Sequence, residues 1–175
     1  MRCFVAVWPP PPVLEALAGI IRPQREILRW STHDQWHITL RFFGELSAPD
    51  VDLAISNLGP AVASIVGPLE ACGGPATQFL GPHLVIWPVE GLAPLAEAVV
   101  ASSTRLGQAP SGRPFIGHVT IARSRGGANL RRERELLQPL ASSWQVRSVS
   151  LVRSELNPKG ATYNDLATFN LGEQP

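Results

Sequence analysis

Apolar residues in this chain fall into short alternating runs and a few helical stripes, and glycine or proline punctuates most changes of pattern. Residues 2–8, with Phe4, Val5, Val7 and Trp8, predict a first strand. The prolines at 9–12 end it and open a helix, since proline suits a first helical turn; Leu14, Leu17, Ala18 and Ile21 then recur at helical spacing before Pro23. Residues 36–43 read as a strand closed by Gly44. Residues 50–65 read as a helix with Val51, Ala54, Ile55, Leu58 and Val62 on one side, kinked or split at Pro60. Short strands are expected at 69–72 and 84–89, and a helix at 92–106 carries Leu95, Val99 and Leu106.

The second half continues in the same style. Residues 116–122 predict a strand, 124–129 a loop with Gly and Arg, and Asn129 the cap of a short charged helix running to Leu140. The final strands, 146–156 and 162–171, form a hairpin through the turn Asn157-Pro158-Lys159-Gly160. Polar-out alternation in short strands favours antiparallel sheets with helices on the other face. The expected fold class is α+β, with each half of the chain contributing helices and strands.

Composition narrows the picture. With 175 residues, 45% of them hydrophobic, the chain can bury a core as one domain or two small intimate lobes. A formal charge of +1 gives no global basic field for gripping long duplexes, so contact with nucleic acid would be local, at an end or a short single strand. Cys3 and Cys72 have no paired-ligand spacing and fit buried thiols in a reducing compartment. The apolar run 3–8 is too short for a signal segment, and no later stretch has the length of a membrane span. The expectation is a cytoplasmic monomer with no membrane contact.

The chemistry lies in a tetrapeptide that occurs twice, His37-Ile38-Thr39-Leu40 and His118-Val119-Thr120-Ile121. Side chains alternate along a strand, so each copy puts its His and Thr on one face and its aliphatic residues on the other. Two imidazoles across a substrate make an acid–base pair near neutral pH, and threonine hydroxyls can donate to phosphate oxygens. No metal or cofactor is needed for that chemistry. His33 and His37 have a spacing that would suit zinc on a helix, but His37 reads as strand and there is no Cys or carboxylate cluster to complete a shell; His33 and His83 are placed on loops. A G-x-S-x-G elbow and a phosphate-binding P-loop are both absent.

With its flanks the motif pair resembles the two-histidine phosphoesterase superfamily, and within it the LigT-like RNA 2′,3′-cyclic phosphodiesterases, also called 2′-5′ RNA ligases. The similarity covers nearly the whole chain. It runs from Arg2-Cys3-Phe4-Val5-Ala6-Val7 through Arg29-Trp30 and His37-Ile38-Thr39-Leu40-Arg41-Phe42-Phe43-Gly44-Glu45. It continues in Arg113-Pro114-Phe115-Ile116-Gly117-His118-Val119-Thr120-Ile121-Ala122-Arg123, in Val152-Arg153-Ser154-Glu155-Leu156 and in residues 160–163.

The resemblance implies a bilobal, pseudo-twofold fold of two antiparallel sheets, with helices on the outer faces and a central cleft. It implies metal-independent hydrolysis of RNA 3′ ends carrying a cyclic phosphate to 2′-phosphate ends, and leaves reverse 2′-5′ ligation open. His37 would protonate the leaving 3′-oxygen and His118 would activate water. Thr39, Thr120 and Arg123 would hold the phosphate, and Phe42 would stack on the terminal base. Strict alternation puts Phe42 opposite His37, so that role requires a bend after Leu40. Arg41, Arg125, Arg131 and Arg132 each read as a surface charge, with the lining of an RNA path as the alternative. The family usually has proline where this chain has Gly117, which frees the backbone before His118. Two other functions fit the same residues: a phosphodiesterase for a small cyclic phosphate (a cyclic nucleotide or ADP-ribose cyclic phosphate), and a non-catalytic RNA-end binding module.

Overall fold

The computed structural model describes residues 1–157 and 160–173. Among these described residues ten strands and three α-helices alternate: β1 Arg2–Val7, α1 Pro11–Ala18, β2 Leu28–Trp30, β3 Ile38–Glu45, α2 Ala48–Ala63, β4 Leu69–Gly73, β5 Gln78–Leu80, β6 Leu84–Glu90, α3 Ala93–Ser102, β7 His118–Ser124, β8 Ser142–Val146, β9 Ser148–Asn157 and β10 Gly160–Asn170. The strand ladders are antiparallel and follow one path, β10-β9-β1-β3-β7-β6-β4-β8, with β2 on β7 and β5 on β6. The α+β class holds. The two expected sheets are the halves β10-β9-β1-β3 and β7-β6-β4-β8, hydrogen-bonded to each other through the single pair Ile38 and Val119.

These halves are not the two halves of the chain. The C-terminal hairpin β9-β10 pairs with β1, so the half holding β3 is built from both ends of the sequence. Helix α1 follows β1 but packs on β8, whereas α3 follows β6 and packs on β3 beside α2. Each half thus receives a helix from the other's stretch of chain, while α2 covers β10 within its own half. The helix-covered face joins Val5, Val7, Ile38, Leu40 and Phe43 to Leu58, Val62, Leu95 and Val99 in the main core. A smaller cluster of Phe4, Ala6 and Val152, with Trp8, Phe42 and Tyr163 against it, lies on the other face. The candidate site residues His37 and Thr39 stand on that second face.

Several local expectations shift. Helix α2 starts at Ala48 because Ser47 and Asp50 form a reciprocal cap. It runs unbroken through Pro60, whose missing N–H frees the carbonyl of Ser56, and both residues face solvent. Residues 103–106 leave α3. No helix spans 129–140. Leu130 and Leu136 are the fully buried apolar residues there, six apart, which is off the helical stripe, and two one-turn 3₁₀ segments form instead. Asn129 still caps the first, accepting from the N–H of Arg131 at 3.0 Å. The final hairpin is present, although Pro158 and Lys159 of its turn lie outside the described residues. Cys3 is buried as expected, but Cys72 is exposed. Among the described residues no helix is long and apolar enough to cross a membrane.

Candidate active site

A cavity of about 370 Å³ opens where β3 and β7 meet, and His37, Thr39, His118, Thr120 and Arg123 all line it. The junction explains the convergence. Pairing Ile38 with Val119 in antiparallel register sets His37 beside Thr120 and Thr39 beside His118, a local twofold relation between the two motifs. Ile38 and Val119 are fully buried beneath, which anchors the pair to the core.

Both imidazoles are held alike. His37 Nδ1 lies 2.8 Å from the carbonyl oxygen of Gln35, and His118 Nδ1 lies 2.8 Å from that of Ile116. A carbonyl can only accept, so each Nδ1 carries the proton and each neutral ring keeps Nε2 as its free base. In both motifs the hydrogen bond goes to the residue two before the His.

A second shared device follows each Thr. The β1–β3 register skips one residue of β3 between Thr39 and Arg41, and the β6–β7 register skips one residue of β7 between Thr120 and Ala122. Leu40 and Ile121 are therefore the extra residues of β-bulges, which invert the alternation beyond them. Phe42 then shares a face with Thr39, and Arg123 shares a face with Thr120. The bend that Phe42 required is present, and the same bend serves Arg123. Phe42 nevertheless does not line the cavity: the Arg2 guanidinium lies over its ring at 4.7 Å. Stacking on a base would require Arg2 to move aside.

The surroundings of the two rings differ. His37 sits against Phe4 at 4.7 Å, Tyr163 at 5.1 Å and Trp8 at 5.6 Å between ring centroids. Trp8 is tied in place because its indole N–H donates to Asp165 at 3.1 Å, and Ser150 donates to the other carboxylate oxygen at 2.8 Å. Burial pushes His37 down to about 4, with smaller contributions from Arg123 and His118 in the same direction. His118 is lowered as well, by burial first and then by Arg123.

Comparison with known proteins identifies the family and the fold. No protein-family model matches the chain. A protein of Thermus thermophilus named RNA 2′,3′-cyclic phosphodiesterase is 31% identical, over 98% of this chain and 90% of its own length. A protein of the same name from Methanothermobacter thermautotrophicus is 30% identical, over 77% of this chain and 78% of its own. The chain belongs to the LigT-like two-histidine phosphoesterase family. Solved structures carry the same fold: TT0787 of Thermus thermophilus superposes over both full chains with a TM-score of 0.84 at 30% identity. E. coli LigT complexed with 3′-AMP superposes over 97% of each chain, with a TM-score of 0.74 at 25% identity.

As a member of the LigT-like family, this chain meets the usual proline position with a constraint of its own. A Cβ built on Gly117 would lie 2.2 Å from the Val89 carbonyl oxygen, while Val89 N–H donates to Gly117 O at 2.8 Å. Close approach of β6, not a special φ, is the reason for glycine here.

Tyr163, Arg2, Arg29, Trp30, Gln35 and Ser154 also line the cavity. The sequence pattern gives these residues no role, although all but Gln35 lie in the segments that carry the family resemblance. Gln35 links the motif to β10, its amide donating to Ala161 O at 2.9 Å. Arg41 is not on an RNA path: it is buried and donates to the carbonyls of Phe42, Leu106 and Gln108, tethering the segment that leads to the second motif. His33 lies tilted against Trp36, with ring centroids 5.7 Å apart, and does not line the cavity with His37. His83 is on a turn, its Nδ1 3.0 Å from Ala128 O.

Proposed function

We propose that this cavity hydrolyses the 2′,3′-cyclic phosphate of an RNA 3′ end to a 2′-phosphate. The observation that carries it is the matched pair of imidazoles, each with Nδ1–H committed to a backbone carbonyl and Nε2 left for the cavity, with a threonine of the other motif beside it. The names of the relatives support the same chemistry.

His118 Nε2 takes a proton from water, whose oxygen forms the new bond to phosphorus. The bond from phosphorus to the 3′-oxygen breaks, and protonated His37 Nε2 gives its proton to that oxygen. Thr39, Thr120 and Arg123 hold the non-bridging oxygens through the in-line step. By itself the protein favours neutral His37, because burial and the Arg123 charge oppose the imidazolium. A bound phosphate anion offsets that charge and draws the acid proton in with the substrate. A 5′-hydroxyl in place of water at His118 would make a 2′-5′ linkage through the same transfers.

The test is incubation with an oligonucleotide ending in a 2′,3′-cyclic phosphate, in EDTA, with analysis of the ends. A 2′-phosphate product lost in His37→Ala and His118→Ala is expected. Absence of product, or tight binding without turnover across a broad pH range, would overturn the hydrolase. Adding a 5′-hydroxyl oligonucleotide reads ligation in the same tube.

A further inference from the structure

The cavity holds more positive charge than one cyclic phosphate requires. Arg2, Arg29 and Arg123 line it, and no Asp or Glu does among the described residues. None of the three forms an ion pair among those residues, whereas Arg25 and Arg153 each meet a glutamate. Arg29 and Arg123 are also direct partners across the β2–β7 ladder. Like charges placed opposite one another in a sheet repel, and neither arginine of this pair meets a carboxylate at ion-pair distance among the described residues.

The charges are not equivalent. Arg123 follows Thr120 on β7, whereas Arg29 stands across the ladder on β2 and Arg2 opens β1, four residues before the Ala6 that pairs with Thr39; both line the cavity with Tyr163. Arg2 and Arg29 thus stand one step out from the reacting phosphate, on the Tyr163 side. Thr120 and Arg123 are at most about 10 Å apart along the strand, so the cationic pair starts roughly one sugar away from the phosphate held at Thr120.

Both outer arginines are positioned rather than loose. Arg2 lies over the ring of Phe42. Arg29 sits against Gly160, where a Cβ would come within 2.9 Å of its Nη2 and 2.8 Å of Gln35 Nε2. Glycine there keeps the guanidinium free to face the cavity.

We propose that Arg29 and Arg2, with Arg123 shared between the two positions, form a second anion subsite for the phosphate on the 5′ side of the reacting ribose. This rests on the hydrolase reading above and deepens it: the preferred substrate carries a 5′-phosphate or phosphodiester, not a free 5′-hydroxyl. Phe42 acts here as the support for Arg2.

The experiment compares kcat/KM for a nucleoside 2′,3′-cyclic phosphate, its 5′-phosphorylated form, and a dinucleotide ending in a cyclic phosphate. The 5′-phosphate is expected to raise kcat/KM about tenfold to a hundredfold, as suits charge-assisted hydrogen bonds, with the dinucleotide close to it. Arg29→Gln should collapse that ratio to within about threefold, where a merely structural role would lower all three substrates together and preserve the ratio. Equal turnover of all three, a gain only with the added nucleoside, or an unchanged ratio in Arg29→Gln would overturn the subsite. Calorimetry with nucleoside 2′-phosphate and nucleoside 2′,5′-bisphosphate asks the same question without catalysis. Tighter binding of the bisphosphate, lost in Arg29→Gln, upholds the subsite even if none of the three substrates turns over, a result that would sink the hydrolase reading alone.

Discussion

The strands carrying His37 and His118 share three local devices and differ in what surrounds them. Each His donates through Nδ1 to the residue two before it, each Thr follows two later, and each strand bulges after the Thr. Yet His37 is enclosed by Phe4, Trp8 and Tyr163, and the residue five positions on is Phe42; at the same offset from His118 stands Arg123. Local geometry makes two bases of equal form, and the tertiary surroundings make them unequal. An acid–base pair needs that inequality, because two identical imidazoles would not divide the work.

The comparison breaks most visibly by removing either ring. His37→Ala and His118→Ala should each lower turnover about a hundredfold to ten-thousandfold, measured on a cyclic-phosphate-ended oligonucleotide. A much smaller loss in one of them would leave a single proton-transfer group at the site. Thr39→Val and Thr120→Val test the shared geometry, with losses of about tenfold to a hundredfold each and close to one another. A strongly one-sided result would show that the local twofold does not extend to phosphate binding.

Gly117→Ala targets the second motif alone. The new Cβ meets the Val89 carbonyl, so urea unfolding should show a loss of about 1–3 kcal/mol, with reduced turnover as the chain before His118 shifts. Unchanged stability and turnover would mean that β6 yields freely.

The smallest effects are titrations. In wild type, kcat/KM should be bell-shaped and displaced to acid. The active form carries one proton on the pair. Below about 4 both rings are charged and no base remains; above the lowered His118 value both are neutral and no acid remains, so the alkaline limb falls below the ordinary imidazole range. Between the limbs the free enzyme holds that proton on His118, and bound phosphate shifts it to His37. Trp8→Ala admits water to His37, and NMR should show its pKa rising toward the ordinary value with His118 little changed. Arg123→Gln should instead raise both, since the guanidinium depresses both. A Trp8→Ala variant that moved both rings equally would contradict the separate environments.

Much of the fold was legible because long strands and helices carry their burial in their own pattern. Val5, Val7, Ile38, Val119, Ile121 and the stripes of α2 and α3 are core residues, as their spacing predicts. Strands β2 and β5 have three residues each, too few for a period to show, and their partners lie far off in the chain or in a strand met later. The segment 129–140 has polarity and a cap that suit a helix, but two buried leucines six apart cannot seat one. Within the site, the His-x-Thr pairs were readable from alternation alone. Arg29, Tyr163 and Gln35 were not, because they reach the cavity through pairings with β7, β9 and the start of β10.

The sequence by itself determined which chemical groups exist and that each His shares a strand face with its Thr, since that parity is a property of one extended segment. Only the tertiary structure decided what those faces meet. A register against β1 or β6 inserts the bulges that put Phe42 on the face of Thr39 and Arg123 on the face of Thr120, and the single junction at Ile38 and Val119 brings the motifs together. The hairpin from the far end of the chain supplies the Tyr163 that helps enclose His37, and β2 sets Arg29 opposite Arg123. Register and desolvation depend on distant partners, and a local pattern cannot encode them.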